Sequence, residues 1–102
     1  HMVRIEVETE SKAEVIEAVQ AEVDVILFDN LPPQKLKEYI SLVPNTIMTE
    51  ASGGITMDTL VDYRDTGVDY ISLGILTHSV KALDISFNIA GGKKDENHGT
   101  TR

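Results

Sequence analysis

The sequence has no cysteine. That absence excludes disulfides, thiolate metal sites and a thiol nucleophile, and with them a disulfide-built secreted mini-domain. Cations are scarce: Lys plus Arg number 9 against 17 Asp plus Glu, a formal charge of −8. Nucleic-acid and anionic-membrane surfaces need clustered basic residues, so neither partner fits this chain. No apolar run approaches the roughly 20 residues of a membrane span. Neither G-x-G-x-x-G nor the P-loop pattern occurs, since Gly91-Gly92-Lys93-Lys94 lacks both the spacing and a flanking strand. No Ser-His-Asp or two-His zinc spacing is visible.

What remains is an ordinary globular composition. Of 102 residues, 41% are hydrophobic and 25% charged, enough for one domain or part of one. His1-Met2 reads as a cloning remnant, and the polar, aperiodic stretch Gly91 to Arg102 as a disordered tail. Between them four strand-helix units follow one another. Val3 to Glu8 alternates apolar and charged residues, the period of a strand. Ser11 with Glu14 three places on makes a capping box, and Ala13, Val15, Ile16, Ala18 and Val19 continue at helical spacing. Asp24 to Asp29 is a nearly continuous apolar run, as in a strand covered on both faces. Pro32-Pro33 opens a second helix carrying Leu36, Tyr39, Ile40 and Val43, and Pro44-Asn45 ends it. Thr46 to Ala51 is a third strand and Ser52-Gly53-Gly54 a turn. Ile55-Thr56 starts a third helix with Leu60, Val61 and Tyr63 on its apolar side and Gly67 as its C-cap. Asp69 to Leu73 is a fourth strand, closed by Gly74.

Strands beginning near Val3, Asp24, Thr46 and Asp69 have a pitch of roughly 22 residues. Strands alternating with single helices are βαβ units and require a parallel sheet. The fold class is α/β. Doubly wound sheets and (β/α) barrels both fit, and the short regular pitch favours half of a TIM-like barrel.

In parallel α/β folds chemistry gathers at the carboxyl ends of the strands. Three successive strands end in a carboxylate, Glu8, Asp29 and Glu50. Carboxylates converging on one mouth need a cation between them, and Mg²⁺ held together with phosphates is the usual answer. The alternative is that each caps a helix, in a chain rich in acids. Ser52-Gly53-Gly54 lies between a strand and a helix, where glycine lets backbone approach closely and the helix offers unpaired N–H groups to a phosphate. Gly74, ending the next strand, would supply the other side of that cradle. His78, between Thr77 and Ser79, is placed to reach a phosphate from a short extra helix, or merely to cap one. Asn30 either belongs to the site or caps the second helix.

Five strings are specific enough to resemble a known family. They are Ile5-Glu6-Val7-Glu8, Leu27-Phe28-Asp29-Asn30, Glu50-Ala51-Ser52-Gly53-Gly54-Ile55, Thr66 through Gly74, and Leu76-Thr77-His78-Ser79 with Ala82-Leu83-Asp84-Ile85. In this order they resemble quinolinate phosphoribosyltransferase, over residues 3–90, as the C-terminal half of its barrel domain. The resemblance implies condensation of quinolinate with phosphoribosyl pyrophosphate to nicotinate mononucleotide, pyrophosphate and CO₂, in NAD synthesis, by a cytoplasmic homo-oligomer requiring Mg²⁺. It places Glu8 and Asp29 at the ribose and its metal, Glu50 nearby, Ser52, Gly53, Gly54 and Gly74 around the 5′-phosphate, and His78 beside it. It also implies that the cations gripping the substrates lie outside this chain.

Two other readings stand beside it. A phosphosugar aldolase or isomerase is opposed by the Glu-Ala-Ser-Gly-Gly and Leu-Thr-His-Ser strings. A catalytically inactive half barrel that binds phosphate weakly and self-associates fits the length. Such a half barrel should leave open edges at Val3–Glu8 and Asp69–Leu73 and an apolar inner sheet face. Either would drive copies together.

Overall fold

The computed structural model describes residues 3–76 and 82–89. The elements are β1 (Glu6–Thr9), α1 (Lys12–Gln20), β2 (Val25–Asp29), α2 (Pro33–Ile40), β3 (Met48–Ser52), α3 (Leu60–Arg64), β4 (Tyr70–Leu76) and β5 (Ala82–Asn88). They form one sheet in the order β1-β2-β3-β4-β5. The first four strands are parallel, and β5 runs antiparallel to β4. Parallel neighbours in sequence order need crossover connections, and the right-handed crossovers that such units almost always adopt put all the helices on one face. A doubly wound sheet would reverse its order midway. The arrangement is therefore the singly wound one expected of a barrel section.

The core fills the space between that face and the helices. Phe28, Ile26, Leu36, Ile71, Leu73, Val15 and Val68 are its largest fully buried side chains. Local chemistry places the helices against it. Ser11 Oγ accepts the Glu14 N–H at 3.2 Å, and Glu14 Oε1 reaches back to the Glu10 N–H at 2.7 Å, so α1 starts where the capping box put it. Pro32 and Pro33 lead into α2.

Four expectations need correction. The first strand runs not from Val3 to Glu8 but from Glu6 to Thr9, and Val3 and Ile5 ahead of it remain exposed. The third helix is only five residues long. Thr59 Oγ1 accepts the Thr56 N–H at 3.0 Å and closes residues 56–59 into a turn ahead of it. Val61 then points to solvent. The fourth strand does not stop at Gly74 but continues to Leu76. Finally, its outer edge is not open, because β5 pairs with it from Tyr70↔Asn88 to Leu76↔Ala82.

An aspartate ties each of two strands to its predecessor. Asp24 Oδ2 accepts the Ile5 N–H at 2.7 Å, and the buried Asp69 Oδ2 accepts the Thr49 N–H at 2.9 Å. Both follow a buried valine (Val23, Val68), and each valine follows a residue with positive φ: Glu22 at 56° and Gly67 at 93°. The same local device thus opens β2 and β4.

Glu22 occupies the left-handed position after α1, with Glu22 N–H bonded to Val19 O and Val23 N–H to Ala18 O. This is the Schellman pattern, in which glycine normally stands. Glu22→Gly is expected to raise unfolding free energy by about 1 kcal/mol, because the side chain's clash disappears. Urea denaturation followed by circular dichroism checks it, and an unchanged or lower midpoint would contradict the assignment.

Candidate functional site

Side chains alternate faces along a strand, and in-register neighbours in a parallel sheet point the same way. The rank Thr9, Phe28, Ala51, Ile71 is buried throughout and faces the helices. The rank Glu8, Leu27, Glu50, Tyr70 therefore faces the opposite, open side. By the same alternation Glu6, Asp29, Met48, Ser52 and Ser72 belong to that open face. It is not the bare apolar layer expected, because acids and serines interrupt it.

Glu8, Asp29 and Glu50 share this face. Glu8 and Glu50 flank Leu27 in one rank, while Asp29 stands two residues nearer the carboxyl end, opposite Ser52. Among the described residues, no group of three or more His, Asp or Glu is placed to hold a metal ion. Glu50 is already engaged, since Ser72 Oγ donates to its Oε2 at 2.8 Å and lies 3.1 Å from Ser86 Oγ. Ser72 is not among the residues the sequence singles out, though its place two residues after Tyr70 puts it on the same face as Glu50.

Among the described residues, Arg4 is the one cation on the open face. Of the described ones, Lys12 lies on α1, Lys35 and Lys37 on α2, and Arg64 on α3, all in the helical layer. Arg4, at the near end of the face, pairs with Glu6 at 3.2 Å. Among the described residues four acids, Glu6, Glu8, Asp29 and Glu50, thus share a surface with one cation, a field that attracts positive charge.

Ser52 ends β3 rather than belonging to the turn, and the Gly53-Gly54 bend after it closes the upper end of this face. Gly53 and Gly54 have φ of 91° and 73°. A Cβ on Gly53 would sit 2.6 Å from Asp29 Oδ1, 2.8 Å from Asn30 Oδ1 and 2.9 Å from Asn30 N. Glycine is required here by the β2–α2 loop, which packs directly against it. Asn30 holds that loop in place: its φ is 58°, and its N–H donates to Ser52 O at 2.9 Å. It does not cap α2, whose N-cap is Pro32. Tyr63 OH adds a bond to Leu31 O at 2.8 Å. Burial first, and then the Asp62 carboxylate, raise the Tyr63 phenol above its ordinary value and keep it a donor. Gly54 is unobstructed, its hypothetical Cβ meeting only Asn30 Oδ1 at 3.8 Å.

Two parts of the expected phosphate cradle change. No helix N-terminus follows the glycines directly, because α3 begins at Leu60. Gly74 is not a turn but lies within β4, opposite Asp84. His78, its neighbours Thr77 and Ser79, and the tail from Gly91 fall outside the described residues. Among the described residues no helix is long and apolar enough to cross a membrane.

Against known proteins, the family described as "Quinolinate phosphoribosyl transferase, C-terminal domain" matches residues 1–88. The probable nicotinate-nucleotide pyrophosphorylase (carboxylating) of Bacillus subtilis is 55% identical over 89 residues, covering 87% of this chain and 31% of that protein. The human nicotinate-nucleotide pyrophosphorylase (carboxylating) is 36% identical, over 84% of this chain and 30% of its own length. Among solved structures, a NadC deletion mutant superposes with TM-score 0.69 at 37% identity, covering 86% of this chain and 32% of that one. The nicotinate-nucleotide pyrophosphorylase from Francisella tularensis gives TM-score 0.65 at 30% identity, covering 80% and 29%. The chain spans about a third of the length of the curated relatives it matches.

Proposed function

Because the chain belongs to the family of the quinolinate phosphoribosyl transferase C-terminal domain, we propose that it forms the ribose- and phosphate-facing part of such an enzyme. The whole reaction joins quinolinate to phosphoribosyl pyrophosphate and releases pyrophosphate and CO₂, leaving nicotinate mononucleotide. The observation that carries this reading is the open sheet face, where Glu8, Asp29 and Glu50 stand together and the described lysines are absent.

As the bond from ribose C1′ to pyrophosphate stretches, positive charge develops on the sugar. Fixed carboxylates aimed at it stabilise that charge more than the ground state and lower the barrier. Glu8 and Asp29 have this role, and in the bound substrate they accept hydrogen bonds from ribose hydroxyls. Glu50, held by Ser72, adds to the same field. Ser52 and Gly54 approach the 5′-phosphate from the turn, Gly54 having the open side. Gly74 and His78 belong to the same phosphate site by family resemblance.

Mg²⁺ fits this donor set only in part. With no three-carboxylate cluster among the described residues, Glu8 and Asp29 would hold it with substrate oxygens completing the shell, the common mode for this ion. When bound, it neutralises charge on the departing pyrophosphate.

The cations that grip quinolinate and pyrophosphate must come from elsewhere. Alone, the chain is therefore expected to form no nicotinate mononucleotide from quinolinate, phosphoribosyl pyrophosphate and Mg²⁺. Substituted for the corresponding third of the Bacillus subtilis relative, it should give an enzyme that turns over. Clear product from the isolated chain, or a folded but inactive chimera, would overturn the proposal.

A further inference from the structure

Glu50 and Ser72 stand on neighbouring strands of the open face but not in the same rank. Glu50 lies beside Tyr70, and Ser72 is two residues nearer the carboxyl end of β4. Carried on two residues, that register sets Ser72 level with Ser52, which is itself the partner of Asp29. Yet Ser72 Oγ lies 2.8 Å from Glu50 Oε2. Two residues of strand are roughly 6.6 Å, and the Glu50 side chain and this hydrogen bond together bridge them. The side chain therefore leans along its strand, and its carboxylate is drawn toward the level of Asp29.

The direction of the hydrogen bonds follows from counting protons. A serine hydroxyl has one proton to give and two lone pairs to receive, whereas a carboxylate only accepts. The Ser72 proton goes to Glu50, so in the 3.1 Å contact between Ser72 and Ser86 the donor is Ser86. Ser86 faces Ser72 directly across the antiparallel pair and fixes its hydroxyl in turn. Among the described residues no other group bonds Glu50, which leaves its Oε1 to the open face. A lysine or arginine in place of Ser72 would hold the carboxylate as firmly but cancel its charge. A hydroxyl orients it and leaves the charge in place. An anchored side chain has also given up its rotamer freedom before a ligand arrives.

We propose that Ser72, backed by Ser86, is the positioning residue for Glu50, holding the carboxylate toward the level of Asp29 with Oε1 left to accept a hydroxyl of the substrate's ribose. This role rests on the enzymatic reading. A hydrogen bond to a ribose hydroxyl exists before and during bond breaking alike. It therefore tightens binding more than it speeds the chemistry.

Two measurements test it. In the chain alone, three-bond NMR couplings should show Glu50 χ1 in one rotamer, and averaged among rotamers in Ser72→Ala. In the chimera with the Bacillus subtilis relative, Ser72→Ala should raise KM for phosphoribosyl pyrophosphate roughly tenfold, with kcat changed less than about threefold. KM for quinolinate should not move. Ser72→Thr keeps the hydroxyl and should restore the KM, and Ser86→Ala, which spares the Ser72 donation, should have a smaller effect. In a Glu50→Ala background Ser72→Ala should add nothing, because the two act as a unit. The urea midpoint confirms that each variant is folded. An unchanged KM in an active chimera, or additive losses in the double variant, would overturn the role of Ser72 and leave the enzymatic reading intact. A folded but inactive chimera would overturn both. A Glu50 side chain as mobile in the parent chain as in Ser72→Ala would overturn the positioning whatever the kinetics.

Discussion

In the chimera with the Bacillus subtilis relative, Asp29→Ala is expected to slow turnover by about 10²–10³-fold. That corresponds to about 2.7–4 kcal/mol of barrier, the usual cost of deleting one preorganised group facing developing charge. Stability should barely change. Asp29 is only half-buried, and no described residue forms an ion pair with it. The check is kcat from nicotinate mononucleotide formation beside the urea midpoint of the same sample. A normal rate would take Asp29 out of the site, and a collapsed midpoint would turn it into a structural residue.

Gly53→Val is expected to be the most damaging substitution in the chain itself, costing roughly 3 kcal/mol or more of unfolding free energy. Two penalties combine: a β-branched residue at a φ of 91° and a Cβ overlapping both the Asp29 carboxylate and the Asn30 main chain. Backbone nitrogen cannot swing aside as a flexible side chain can. Gly54→Ala shares the positive φ without the overlap and should cost about 1 kcal/mol. Equal losses at the two positions, measured by urea denaturation, would show that the packing against Asn30 is not what requires glycine. The comparison also guards the phosphate reading, since lost anion binding in Gly53→Val would report only a deformed loop.

Signals that act within a few residues are legible in the amino-acid sequence. Ser11 and Glu14 announce α1, Pro32-Pro33 announces α2, and the apolar run ending at Asp29 announces β2. That Glu8, Asp29 and Glu50 stand at strand ends is legible too, whereas their shared face is set by the register of β1, β2 and β3. Features that depend on partners distant in the chain, or absent from it, are not legible. Nothing local in Asp69–Leu73 says that the strand continues through Gly74, because its extension is set by the ladder to Ala82–Asn88. The alternation of Val3, Ile5 and Val7 has the period of a strand, but burial needs a covering layer, and no described element covers Val3 or Ile5. Ile55-Thr56 looks like a helix start until the Thr59 hydroxyl takes the Thr56 N–H and commits those residues to a turn. The engagement of Glu50 by Ser72 requires the register of β3 against β4.

The paired aspartates have a consequence for how the chain folds. Each ties its strand to the previous one across 19 or 20 residues, and the β4–β5 pairing spans no more than that. Among the described residues every strand thus finds its neighbour nearby in sequence. Loop-closure entropy is met in small equal steps. The sheet should therefore assemble like a stack of repeats, growing from any adjacent pair and unravelling from its outermost strands inward. Amide protons on β2 and β3 would then be the last to exchange, and those of β1 and β5 the first.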